Sequence, residues 1–93
     1  MVKVLVERAI KGQNVRGIVR LLRQLRVKAL QQPGYISGET LHAVDDPNCY
    51  LVISLWESLE DWRQWEKNPE RQKAVLEIDS LLESPPRTRV YAY

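Results

Sequence analysis

The stretch Pro33–Trp65, PGYISGETLHAVDDPNCYLVISLWESLEDWRQW, reads as strand, turn, strand and helix, and the rest of the chain is organised around it. Within it, Cys49 to Trp56 alternates two kinds of face. Leu51, Ile53 and Leu55 are wholly aliphatic, whereas Tyr50, Val52 and Trp56 are bulky and only partly polar. Such side chains fit a pleated surface, but a sheet with one wet side shows polar residues there. Neither face is polar here, so both need cover. In a chain of 93 residues, the expected cover for the second face is another copy of the same sheet.

Tyr35 to Val44 forms the preceding strand, and Asp45, Asp46, Pro47 and Asn48 form a hairpin connection into the next. If Val44 and Cys49 are the last pair, His42 lies opposite Leu51, Leu41 opposite Val52 and Thr40 opposite Ile53. His42 and Thr40 then share the face of Leu51 and Ile53. Leu41, Ala43, Tyr50, Val52 and Trp56 share the other, and a one-residue slip exchanges these assignments. Leaving that second set in water forfeits roughly 1.5 to 3 kcal/mol for each fully buriable large side chain. It is therefore the face expected to meet a partner.

Working outward, Val2 to Arg8 alternates Val2, Val4 and Val6 against Lys3, Leu5 and Glu7, a strand with one clean core face. Gly12 to Asn14 breaks it, with Asn14 placed to cap a helix in which Val15, Ile18, Leu22, Leu25 and Ala29 recur at helical spacing. Pro33 and Gly34 end that helix. On the other side, Ser58 with Asp61 resembles a capping box, so a short helix of Leu59, Trp62 and Trp65 begins there. Asn68-Pro69 starts another, carrying Ala74, Val75, Ile78, Leu81 and Leu82. After Pro85 and Pro86, Arg87 to Tyr93 is a last strand with Thr88, Val90 and Ala92 on one face. The order βαββαβ predicts an α+β, ferredoxin-like fold, a four-stranded antiparallel sheet with its helices on one side, in a single domain spanning 1–93.

Composition narrows the partners. The first apolar run is short and is followed by Glu7 and Arg8, unlike a signal peptide or membrane span, and Cys49 is alone, so a cytoplasmic protein without disulfides is expected. The net charge is +2, with basic residues collected between Lys11 and Lys28 and eight of the twelve acids between Glu57 and Glu83. Two helices side by side on one sheet would bring those charges together. Since no RNP pattern or other recognition motif accompanies them, nucleic acid is not expected as a partner.

No P-loop, dinucleotide fingerprint, metal-spaced Cys/His cluster or nameable Ser/His/Asp set is present, so neither metal nor cofactor is expected. What remains is aromatic density beside one histidine. Trp56, Trp62 and Trp65 span ten residues, and His42, the one histidine of the chain, projects from the adjoining strand. Trp62, Trp65 and Thr40 are candidate walls of a flat apolar pocket and His42 its candidate polar group. Core packing is the simpler reading of Trp62, dimer or strand-end packing that of Trp56, and a satisfied or exposed strand histidine that of His42; for Trp65, near the helix break, pocket and core weigh evenly.

The run CYLVISLWESLEDWRQWEKNPERQKAV, preceded by PGYISGETL, resembles the antibiotic biosynthesis monooxygenase family. That resemblance implies a ferredoxin-like protomer in a dimeric α+β barrel, in a family that includes cofactor-independent oxygenases of quinols and polycyclic aromatics and also haem-degrading enzymes. Trp65 matches the position at which haem-degrading members set a tryptophan over the porphyrin. Their haem-ligand histidine would fall near Ala74 or Val75, and their first-strand asparagine is missing from Val2 to Arg8. The resemblance therefore implies a cofactor-independent monooxygenase acting on a small aromatic or quinol-like substrate, with His42 as base and Trp65 as wall. The alternative expectations are a non-catalytic ligand-binding or sensory homodimer, and a purely structural dimer whose aromatics are all core.

Overall fold

The computed structural model describes residues 1–93. The elements are β1 (Val2–Ala9), α1 (Val15–Ala29), β2 (Tyr35–Ala43), β3 (Asp46–Trp56), α2 (Leu59–Lys67), α3 (Pro69–Asp79) and β4 (Arg87–Ala92). All strand pairs are antiparallel and the order is β2-β3-β1-β4, so the two central strands carry the most continuous apolar alternation. This is the ferredoxin-like α+β arrangement expected from the βαββαβ order.

The caps explain where the helices start. Ser58 Oγ accepts from Asp61 N and donates to Asp61 Oδ2, which closes the first turn of α2. Asn68 Oδ1 accepts from Glu70 N and Arg71 N and so opens α3 immediately behind α2. Asn14 occupies the expected N-cap position of α1, yet its side chain donates back to Lys11 O and does not cap the helix. α3 ends at Asp79, earlier than its apolar spacing suggests; Leu82 instead bridges to Ile10 beyond the end of β1.

The register differs from expectation by one residue. Ala43 pairs with Asp46 across a turn of Val44 and Asp45, and an irregularity beside His42 brings His42 opposite Tyr50, Leu41 opposite Leu51 and Thr40 opposite Val52. Three observations account for the slip. β3 begins at Asp46, Val44 sits in the turn fully exposed, and Asn48 turns aside to donate from Nδ2 to Ile10 O and Gly12 O.

Since side chains alternate with a period of two, the pairing of β3 with β1 settles which face of β3 is covered, and the β2–β3 register brings Thr40 and His42 onto that same face. The helices lie over Val2, Val4, Val6 and Arg8 of β1 and their cross-strand neighbours Trp56, Ser54, Val52 and Tyr50. The expected pairing face of Leu41, Tyr50, Val52 and Trp56 is thus corrected: Trp56 is 1% exposed in the core, with its indole Nε1 donating to Ser54 Oγ on the same face. The uncovered face instead presents Leu5, Leu51, Ile53 and Leu55, all half-buried, with Leu41 exposed at its edge. Both faces of β3 are apolar, so alternation alone gave no preference. The large indole needs the deeper cover of the helices.

Under the helices the core has two parts. One gathers Val2, Val4, Val6, Ala29, Trp56, Trp62 and Trp65; the other gathers Ile10, Ile18, Leu22, Ile78 and Leu82. The basic α1 packs against α3 as the charge distribution suggests, and its arginines Arg16, Arg20, Arg23 and Arg26 remain exposed.

Candidate functional site

Between the inner face of the sheet and the helices lies a narrow cleft of about 60 Å³, open to solvent at its mouth. Its floor is built in rows across the strands, with Val6, Val52 and Thr40 in one, Ser54 and Gly38 in the next, and Trp56 beside Tyr35 in the last. α1 contributes Leu22, Leu25 and Ala29 to the roof, and α2 contributes Trp62 and Trp65, three positions apart on its buried stripe.

The aromatic walls fix one another. Tyr35 meets Trp56 edge to face at 5.2 Å between centroids, and Trp56 meets Trp62 at 5.9 Å. Gly38 is required by the same packing, since a Cβ there would collide with the Tyr35 hydroxyl and lie 3.0 Å from Ile53 O. The absent side chain lets the ring of Tyr35 lie across β2.

Of the residues singled out in the sequence, the structure brings Thr40, Trp62 and Trp65 together in the cleft lining and leaves His42 outside it. His42 does lie on the inner face, but it is exposed beside the hairpin and lies against Tyr50 with the rings tilted by 40° and their centroids 5.8 Å apart. It reaches that face through the observed register, in the row of Arg8 and Tyr50 and not in the row of Leu51.

Two residues that sequence reasoning passed over are Arg8 and Arg71, both in the lining. Arg8 is 3% exposed and its Nε has no hydrogen-bond partner. Burial, reinforced by the neighbouring charge of Arg71, pulls its pKa down to about 10, while Asp79 pulls weakly the other way. Arg71 is lowered by burial as well, against Glu66 and Asp79, and its guanidinium lies 5.1 Å from the centroid of the Trp62 ring. The signal for each was phase. Position 8 continues the buried series of positions 2, 4 and 6, and position 71 stands seven before the buried Ile78 on α3.

The sequence matches the family model described as antibiotic biosynthesis monooxygenase over residues 1–76. This chain belongs to the antibiotic biosynthesis monooxygenase family. Among solved structures, a conserved protein of Methanosarcina mazei superimposes on this family member with a TM-score of 0.92 at 14% identity, covering 97% of this chain and 89% of that one. SnoaB of Streptomyces nogalater, a cofactor-independent oxygenase, gives a TM-score of 0.90 at 15% identity, covering 99% of this chain and 91% of that one. A further antibiotic biosynthesis monooxygenase gives 0.91 at 18%, covering 100% of this chain and 98% of that one. At such identities the likeness is one of fold. No curated protein matches the sequence.

This monooxygenase-family chain brings no group of three His, Cys, Asp or Glu side chains together as a metal site, and none of its helices is long and apolar enough to cross a membrane. What its cleft offers chemically is a mainly aromatic and aliphatic wall with the guanidinium groups of Arg8 and Arg71 in its lining.

Proposed function

We propose that this protein is a cofactor-independent monooxygenase of a small aromatic, quinol-like substrate, acting as a cytoplasmic homodimer. The observation that carries the reading is the cleft walled by Trp56, Trp62, Trp65 and Tyr35, whose rings suit a planar molecule. Family membership and the fold shared with SnoaB support it. In the reaction, a quinol and O₂ become a hydroxyquinone and water. One oxygen atom enters at a ring carbon as hydroxyl, the other leaves as water with the remaining hydrogens, and the substrate supplies all the electrons. The protein's part is to orient the ring, exclude water and favour the electron-rich ionised form.

Trp62, Trp65 and Thr40 serve as walls in this reading, and His42 takes no direct part. The apolar ridge of Leu5, Leu41, Leu51, Ile53 and Leu55 supplies the pairing surface for a twin. The lone thiol of Cys49 suits a reducing compartment.

Oxygen consumption with a panel of quinols, with mass analysis under isotopically labelled O₂, tests the proposal. Saturable uptake above autoxidation, one labelled atom per product, and turnover kept within about twofold in His42→Gln are expected. Uptake no faster than in buffer across the panel would refute the catalytic reading. A second reading, ligand binding without turnover, draws on one observation: no imidazole lines the cleft. Saturable binding of quinols that are never oxygenated would establish it.

A further inference from the structure

The cleft that is apolar along its aromatic wall ends at an arginine with nothing to hold. Arg8 follows Val2, Val4 and Val6 in phase along β1, so the pleat turns its side chain under the helices. A residue needed there only to fill the core would be a fourth aliphatic one, because a buried guanidinium is expensive unless its donors find acceptors. The Nε of Arg8 finds none. Asp79 Oδ1 is likewise buried and unpartnered, so these two atoms are not bonded to each other.

Arg71 adds to the same charge. Its backbone is fixed by the Asn68 cap and its guanidinium by the face of Trp62. Together with Arg26 at the mouth, three guanidiniums line the cleft against a single carboxylate, Glu39, which pairs with Ile53 in the row facing away from the helices. Asp79 and Glu66 offset part of this charge from outside the lining, and Tyr35 is the remaining titratable group within it.

We propose that the cleft takes its aromatic ligand as an anion, with an ionised ring hydroxyl set between Arg8 and Arg71 and the ring against Trp56, Trp62 and Trp65. This rests on the reading of the cleft as the ligand site and is independent of whether oxygen chemistry follows. The oxygen–hydrogen bond breaks with its electron pair left on the hydroxyl oxygen, and the proton goes to bulk water through the open mouth. The two guanidiniums stabilise the anion, so no side-chain base is needed in the wall.

The probes are lawsone, a naphthoquinone whose ring hydroxyl is ionised at neutral pH, and the parent naphthoquinone, which has the same ring and no charge. Binding to the full chain is followed by tryptophan quenching and calorimetry, and the ionisation of bound lawsone by its visible absorption. The expected result is binding of lawsone at least about tenfold tighter than naphthoquinone, with its bound pKa lowered by about one or more. That preference is lost in both Arg8→Met and Arg71→Gln, while naphthoquinone binding persists. Should Arg8→Met not fold, Arg71→Gln and the absorption titration of the unaltered protein decide alone. Equal or tighter binding of naphthoquinone overturns the inference and leaves the cleft reading standing. Binding of neither probe to the folded protein overturns both.

Discussion

Replacing Arg8 by Met should make this protein more stable. A guanidinium in water loses its proton only under strongly alkaline conditions, and burial brings Arg8 down to about 10. At about 1.4 kcal/mol per pH unit, holding that charge inside the neutral protein costs roughly 3 kcal/mol. Met keeps most of the length and adds apolar contact with Val6, while Asp79 loses one of its two cationic neighbours. The net expectation is a gain of about 1 to 3 kcal/mol, the range in which buried ions give way to apolar residues of similar volume. Urea unfolding followed by tryptophan fluorescence, at one fixed protein concentration so that association does not enter, measures it. For a domain of this size, 1 kcal/mol corresponds to about 4 to 8 °C in Tm. The pH dependence has a definite sign. Below about 10 both folded and unfolded chains hold the proton, so the gain is constant through the neutral range. Between that value and the higher pKa of the unfolded guanidinium the unfolded chain holds more protons, so the original protein recovers stability as pH rises and the gain shrinks. A variant destabilised by more than about 1 kcal/mol would show that Arg8 is fully satisfied as a structural group, and the reasoning would fail.

Three further outcomes are expected. Gly38→Ala forces the Tyr35 ring off its edge-to-face contact with Trp56, lowering stability by about 1 to 3 kcal/mol and weakening the near-UV circular dichroism of the aromatic cluster. Asn68→Ala removes the acceptor for Glu70 N and Arg71 N and costs about 1 kcal/mol in urea unfolding, with a smaller loss in Asn68→Gly. Ile53→Asp, in the middle of the uncovered sheet face, yields a folded monomer in sedimentation velocity with unchanged far-UV circular dichroism; a persistent dimer would place the partner surface elsewhere.

The element order was legible in the residues because each boundary has a local cause: a Pro-Gly stop after α1, a Ser58–Asp61 box before α2, and an Asn-Pro start for α3. Helical spacing marked Trp62 for the inner face, but it left Trp65 open between core and pocket and wrongly joined Leu59 to the stripe: Trp65 is buried and Leu59 exposed. Strand phase is different. Alternation along β2 and β3 separates two sets of side chains without saying which set lies under the helices, and with Leu51, Ile53 and Leu55 facing Tyr50, Val52 and Trp56 either set could be core.

That choice was made in three dimensions, by the pairing of β3 with β1 that sets Trp56 opposite Val2 on the core face. A hairpin tighter than its Asp-Asp-Pro-Asn composition implies, with a pairing shift beside His42, then placed Thr40 in the cleft and left His42 at its edge, tilted against Tyr50. The meeting of Arg8 with Arg71 was likewise decided by tertiary structure. They are far apart in sequence, and only packing α3 over the end of β1 sets two positive charges beside each other at the end of an aromatic cleft. Local forces shape a helix or strand from neighbours along the chain. Register and burial are long-range competitions for the same limited interior, and they settled which face is dry and where the charge sits.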